Sequence, residues 1–94
     1  MKEKTVAEMQ SFVVGVEELT AKIYVVYKAE LEKIIAENVT DISRIEALFN
    51  QMWVFIDDEK IHKLYWNLIN YVETFDTGVG AFYRRIEEVY FEGY

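Results

Sequence analysis

The chain of 94 residues contains no proline and only four glycines. Proline interrupts helices and glycine commonly ends them, so this scarcity predicts long helices with few breaks. Apolar residues also recur at helical spacing along most of the chain. We therefore expect an all-α fold, built as a single domain over residues 1–94.

The first helix is predicted from about residue 6 to 37. Thr5 and Glu8 fit a capping box at its start, in which each side chain accepts a backbone N–H of the other residue. The segment 37–41 supplies the turn that follows. Its asparagine can end one helix, and its threonine or aspartate can cap the next.

A second helix is predicted from about residue 41 to 75, and two interpretations of its middle stay open. The helix can be continuous, or it can break at 57–58, where two aspartates before Glu59 are typical of a cap and acidic first turn. The segment 77–80, Thr-Gly-Val-Gly, is predicted as a linker. A short third helix follows from about 81 to 91.

A heptad pattern relates the first two helices. In each of them, a stripe of residues follows alternating steps of three and four, which is the spacing of a packing seam. Folding the chain at the turn pairs Ile34 with Ile45 and Leu31 with Leu48. This register predicts an antiparallel helical hairpin.

A second apolar stripe lies beside the seam on the first helix. Two helices cannot bury both stripes, and a third helix of about three turns covers only part of the surplus. An exposed apolar strip of this length normally marks an interface. We therefore expect a homodimer in which two hairpins form a four-helix bundle. The predicted interface residues are Met9, Phe12, Val16, Leu19, Ile23 and Val26.

A polar layer interrupts the middle of the predicted seam. If the second helix is continuous, Glu17 faces His62, the only histidine, and Thr20 faces Glu59. Residues three apart point the same way from a helix, so Glu59 and His62 can reach one metal ion. Glu17 can bridge to a second ion, and a two-fold axis would duplicate the set.

This pattern resembles one half of a ferritin-like di-iron carboxylate protein, over about residues 13–70. The residues that carry the resemblance are Glu17, Tyr24, Glu59 and His62. It implies that the glutamates and the histidine bind iron or manganese, with the tyrosine as a redox neighbour, and that dimerisation completes the site. It also implies iron binding, ferrous oxidation or oxygen activation. Glu18 is the alternative ligand on the first helix if the register shifts by one.

Two features depart from the family pattern, and other interpretations need no metal. The spacing from Glu17 to Glu59 is longer than usual, and Thr20 stands where a further ligand is expected. If a helix starts at 57–58, Glu59 and His62 lie in solvent. In a continuous helix the facing polar pairs can instead be hydrogen-bonded, and such a layer can fix the register of a bundle.

The net charge restricts the class of partner. Seventeen acidic and ten basic residues give a formal charge of -7. A groove that follows nucleic-acid phosphates needs clustered cations, and an anionic membrane surface repels an acidic chain. We expect neither nucleic acid nor membrane as a partner, and a protein with a basic surface fits better. No targeting segment and no run of about 20 apolar residues is visible, so we expect a cytoplasmic protein.

Groups that carry out catalysis are scarce in this sequence. It has no cysteine, and no serine lies beside the single histidine on the seam. The surplus apolar stripe and the many tyrosines and tryptophans fit a protein-binding surface. We therefore predict a small, acidic, non-enzymatic interaction module without a cofactor, an adaptor or inhibitor of a larger protein. Small proteins of this kind are common in viruses and mobile elements, an analogy at the level of fold. The alternative is the ferritin-like protein that binds or oxidises iron.

Overall fold

The computed structural model describes the backbone of residues 2–92 and the side chains of residues 18–92. This backbone is helical between short turns and contains no strand, which confirms the predicted all-α class. The helices are α1 (Lys2–Ala36), α2 (Ile42–Trp53), α3 (Glu59–Glu73) and α4 (Thr77–Glu92).

The start of α1 differs from the prediction. The helix begins at Lys2, so Thr5 lies inside it and the predicted capping box with Glu8 is wrong. None of the described helices is long and apolar enough to cross a membrane. The predicted site residues whose side chains lie outside the described part of the chain are Met9, Phe12, Val16 and Glu17.

The predicted turn at 37–41 joins α1 to α2. Asn38 has a φ of 52°, the left-handed conformation that asparagine adopts more readily than most residues. The Asp41 carboxylate accepts the backbone N–H of Ser43 at 3.0 Å and so caps α2. Of the two residues predicted as caps, the aspartate takes the role rather than Thr40.

The predicted second helix is in fact two helices. After Trp53 the chain forms turns over 54–58, and Asp58 then caps α3. Its carboxylate accepts the backbone N–H groups of Lys60 and Ile61 at 2.9 and 3.1 Å. The interpretation with a break is therefore correct, and the continuous second helix is wrong.

The break reverses the direction of the chain. Near the start of α3, the Lys60 amine lies 5.8 Å from the centre of the Tyr24 ring. Beyond the other end of α1, the Tyr71 hydroxyl donates to the Val39 carbonyl at 2.8 Å. Consequently α3 runs parallel to α1, whereas a continuous second helix would run antiparallel to it.

The central helix of the core is α3. Leu31 and Ile34 of α1 lie in one core cluster with Ile45 and Leu48 of α2, as the hairpin register predicts. Burying each such side chain contributes about 1.5–3 kcal/mol relative to its exposed state. The buried residues that α3 adds to this cluster are Ile61, Leu64, Tyr65, Leu68, Ile69 and Val72.

The last helix, α4, begins at Thr77, inside the predicted linker 77–80, so that linker prediction is wrong. Asp76 caps the first turn by accepting a backbone N–H at 3.1 Å. Gly80 is buried against α3, where an added Cβ would overlap the Cγ of Glu73 and lie 3.4 Å from its Cα. Glycine therefore serves a close contact between two helices here rather than a turn.

Candidate functional site

The only histidine forms a pair with a buried carboxylate. His62 on α3 and Glu87 on α4 approach to 2.8 Å between Nε2 and Oε1. Glu87 is 5% exposed and is the one buried charged residue among those whose side chains are described. Burying a carboxylate is costly unless it is hydrogen-bonded. The imidazole is therefore the group that allows this glutamate to lie between the helices.

Two partly exposed aromatic rings contact the histidine. We name the surface formed by His62, Trp66 and Phe91 the aromatic face. The Phe91 ring stacks on the imidazole at 4.4 Å between centroids, and Trp66 meets it edge-on at 6.1 Å. Trp66 is 46% exposed and Phe91 39%. The guanidinium of Arg84 lies 5.9 Å from the centre of the Trp66 ring and is ion-paired with Glu73.

Two tyrosines with raised pKa values lie in the core beside this pair. Burial raises the pKa of Tyr65 well above its ordinary value, and the charge of Glu87 raises it further. Burial likewise raises the pKa of Tyr83, followed by the hydrogen bond that its hydroxyl donates to Glu46 at 2.7 Å. Both hydroxyls therefore stay protonated well beyond neutral pH, and the Tyr83 hydroxyl acts as a donor.

The predicted metal ligands on α3 lie on one shallow groove but have other partners. Glu59 is exposed and lies 3.6 Å from Lys63, while His62 is paired with Glu87. Among the residues whose side chains are described, no group of three or more His, Cys, Asp or Glu could hold a metal ion. The side chain of Glu17 lies outside that part of the chain, so the three-residue ligand set stays a prediction.

Tyr24, the predicted redox neighbour, lies closer to the start of α3 than to the histidine pair. It lines a groove of about 560 Å³ between α1 and α3, together with Thr20 and Glu59. Thr20 and Glu59 line the same groove because the turns over 54–58 place the start of α3 beside this part of α1. His62, one turn further along α3, is instead paired with α4.

The described part of the predicted interface stripe is mostly open to solvent. Leu19 is 53% exposed and Val26 is 62% exposed, whereas Ile23 is half-buried against the core. Ile23 therefore belongs to the fold as much as to a surface. Val25, which is not in the predicted stripe, is exposed as well.

Beside this stripe lies a groove of about 640 Å³ between α1 and α2, which we name the α1–α2 groove. An ion pair between Arg44 and Glu30, with 3.0 Å between the charged atoms, links its two walls. Across it, the Tyr27 hydroxyl donates to the Gln51 carbonyl at 3.3 Å. Its apolar lining consists of Val25, Val26, Ala29, Ala47 and Leu48.

Sequence reasoning missed Glu87 and Phe91 because neither belongs to a local motif. The signal that could have found them is a matched spacing on two helices. His62 and Trp66 are four residues apart on α3, and Glu87 and Phe91 are four apart on α4, so each pair shares one side of its helix.

No protein-family model matches the chain, and no curated protein or solved structure shows significant similarity to it. The resemblance to a half-ferritin therefore rests on the four residues that suggested it and stays a prediction. Function has to be inferred from the α1–α2 groove, the stripe beside it and the histidine pair.

Proposed function

We propose that this protein is a small, acidic, non-enzymatic interaction module, an adaptor or inhibitor that associates with another protein chain through the exposed side of α1 and the α1–α2 groove. The observation that carries the proposal is the exposure of Leu19 and Val26 beside a core that has already closed. The occupant that the sequence favours is a second copy of the chain, because a two-fold axis brings the same stripe to both sides of the interface.

The energetics favour covering this surface. Moving each large aliphatic side chain from water into an apolar contact contributes about 1.5–3 kcal/mol at full burial. A groove between two adjacent helices suits the apolar side of a third helix, whose side chains enter at helical spacing. Contacts such as the one between Tyr27 and Gln51 hold the groove in shape, so little ordering would be needed on association.

The ionisable side chains that contact each other support a structural rather than a chemical role. Each of three such contacts joins two helices, and in each of them a carboxylate is held by a partner. The pairs are His62 with Glu87, Tyr83 with Glu46, and Arg84 with Glu73.

The test is the oligomeric state of three proteins in analytical ultracentrifugation. We expect a dimer for the unmodified chain, a monomer for Val26→Glu and a dimer for the matched control Val89→Glu. The control places the same charge at a similarly exposed valine of α4. Circular dichroism checks that each variant remains helical. A monomeric unmodified chain at about 100 µM, or dimers for all three proteins, would refute the self-association.

The second candidate function is the metal-binding carboxylate site on Glu17, Glu59 and His62, which would bind or oxidise iron, or bind manganese. One observation favours it: a buried carboxylate holds Nε2 of the histidine, which leaves Nδ1 for a ligand. Histidines that bind metals commonly have such a carboxylate behind them. The described residues supply two of the ligands, and Glu17 or a second copy would have to complete the set.

Elemental analysis of protein purified without chelator or affinity tag tests this second candidate, followed by addition of Fe(II) in air. The second candidate predicts about one ion per chain, lost in His62→Ala while helicity is retained. Protein that contains no iron or manganese and does not oxidise added Fe(II) would rule it out.

A further inference from the structure

The aromatic face is a second surface and shares no residue with the α1–α2 groove. Trp66 and Phe91 keep much of their area in solvent, although both contact His62. Within the described part of the chain, the indole N–H of Trp66 donates no hydrogen bond. Tryptophan is enriched among the residues that dominate the binding energy of protein interfaces, where its N–H usually finds an acceptor.

On the α3 side of this face the charges are matched, since Lys63 pairs with Glu59 and Arg84 lies over the Trp66 ring. The imbalance is at the end of α4. Glu88 and Glu92 lie one turn before and one residue after Phe91 on this helix. The last turn of α4 contains no basic residue. The carboxyl end of a helix carries partial negative charge that cations normally offset. The last turn of α4 therefore lacks a cation that both the end of the helix and Glu92 would favour.

We propose that the aromatic face binds a basic segment of another protein. An arginine of that segment stacks on Trp66 or Phe91, and its charge is paired with the carboxylate of Glu88 or Glu92. The chain already contains one example of this chemistry, since Arg84 lies over the Trp66 ring. Guanidinium is planar and weakly hydrated, so arginine suits the site better than lysine.

Charge also decides against a second copy as the occupant. A second copy placed face to face here would bring its own Glu88 and Glu92 close to the same two carboxylates, at a helix end with no basic residue. A positively charged segment lowers this repulsion as it binds. The proposal goes beyond the self-association through α1, since it concerns a different partner and different helices.

The experiment is a titration followed by NMR on the intact chain. The single histidine reports on the aromatic face without any labelled substitution, because only His62 has imidazole ring protons. The probe is a synthetic peptide of alternating arginine and leucine, five residues long with blocked ends. We expect a saturable shift of the His62 signals, a weaker effect with lysine in place of arginine, and none with glutamate.

Variants separate recognition by this face from general attraction to an acidic protein. We expect Trp66→Ala to weaken binding about fivefold to tenfold and Glu88→Gln to weaken it about twofold to fivefold. The matched control is Glu32→Gln, which removes the same charge from an exposed position on α1. Val26→Glu should bind the peptide normally, so failure of the α1 interface and failure of this proposal can be told apart.

Several results would overturn the proposal. Absence of a saturable shift up to about 1 mM peptide would exclude useful affinity. If Glu32→Gln and Glu88→Gln weaken peptide binding equally, or if Trp66→Ala binds the peptide unchanged, the peptide recognises only the net charge of the protein. A change of the His62 signals on dilution without peptide, abolished by Trp66→Ala, would show that a second copy covers the face.

Discussion

The contact between α3 and α4 at Gly80 allows a sharp test of the fold, because the same helix contains a matched control. Gly78 and Gly80 both lie near the start of α4, but Gly78 is exposed and Gly80 is buried. Replacing a helical glycine with alanine favours the helix by about 0.8–1 kcal/mol. The two substitutions therefore gain the same helix propensity, and they differ in whether the structure has space for the added methyl group.

The structure gives the magnitude of that difference. A Cβ at position 78 would meet Asp76 Oδ1 at 3.5 Å, an ordinary contact, so Gly78→Ala should stabilise the protein by about 0.5–1 kcal/mol. A Cβ at position 80 would overlap Glu73 and displace the carboxylate that pairs with Arg84. Overpacking of this kind costs about 1–3 kcal/mol, which cancels or exceeds the gain in helix propensity.

Urea unfolding followed by circular dichroism at pH 7 measures both variants. We expect Gly80→Ala to be less stable than Gly78→Ala by about 1–3 kcal/mol, or roughly 4–24 °C in Tm for a chain of this size. Equal stabilisation by the two substitutions would refute the close approach of α3 and α4. It would also remove the basis for the placement of Glu87 beside His62.

Two further predictions concern the cap at the start of α3 and the buried hydroxyl of Tyr83. Asp58→Ala should lower the free energy of unfolding by about 0.5–2 kcal/mol, because two backbone N–H groups of α3 lose their acceptor; urea unfolding measures it, and no loss would mean that α3 does not start there. The raised pKa of Tyr83 means that folding disfavours its ionised form. The contribution of this hydroxyl to the free energy of unfolding is therefore complete below about pH 10 and is lost at higher pH. In unfolding experiments between pH 8 and 11, Tyr83→Phe should therefore lose less stability than the unmodified chain, and an equal loss would contradict the burial of this hydroxyl.

The hairpin of α1 and α2 could be predicted from the sequence because its signals are local. Asn38 and Asp41 act within a few residues of the turn, and the apolar spacing on either side brings Leu31 and Leu48 into the same core. Such signals depend on backbone conformation and on the spacing of neighbours along one helix. Neither depends on the rest of the chain.

The break after α2 could not be decided in the same way. Steps of three and four continue through it, so Glu59, His62 and Trp66 fit an unbroken stripe as well as a new helix. The capping preference of Asp58 favours a break by only about 1 kcal/mol, which the packing of a continuous helix could have exceeded. Whether the helix breaks is decided by where α3 buries its apolar side. That burial depends on α1 and α4 together.

The candidate site was harder to predict than the helices. His62 is conspicuous in the sequence as the only histidine, but its partner Glu87 is distant in sequence and lies beside it only because α4 turns back along α3. The linker prediction at 77–80 concealed this arrangement. In sequence, two glycines close together indicate a turn, whereas in the structure Gly80 is the residue that lets the two helices approach.

The two proposed surfaces have a joint consequence, because one lies on α1 and α2 and the other on α3 and α4. A dimer through Val26 and its neighbours would carry two aromatic faces, so a partner with two basic segments could bind both at once. The second contact would then form at an effective concentration in the millimolar range, provided that the linker spans the two sites. Avidity of this kind requires both surfaces, whereas each single contact requires only one.

A tandem peptide tests this reasoning, with two copies of the arginine–leucine probe joined by glycine–serine linkers of graded length. We expect at least one linker length to bind the unmodified chain about 10²-fold or more tightly than the single copy. Val26→Glu should bind the single copy normally and lose this gain, because it would present one aromatic face per molecule. Trp66→Ala should weaken both peptides. If Val26→Glu keeps the full gain, the two segments bind within one chain, and the α1 surface has no part in joining the faces.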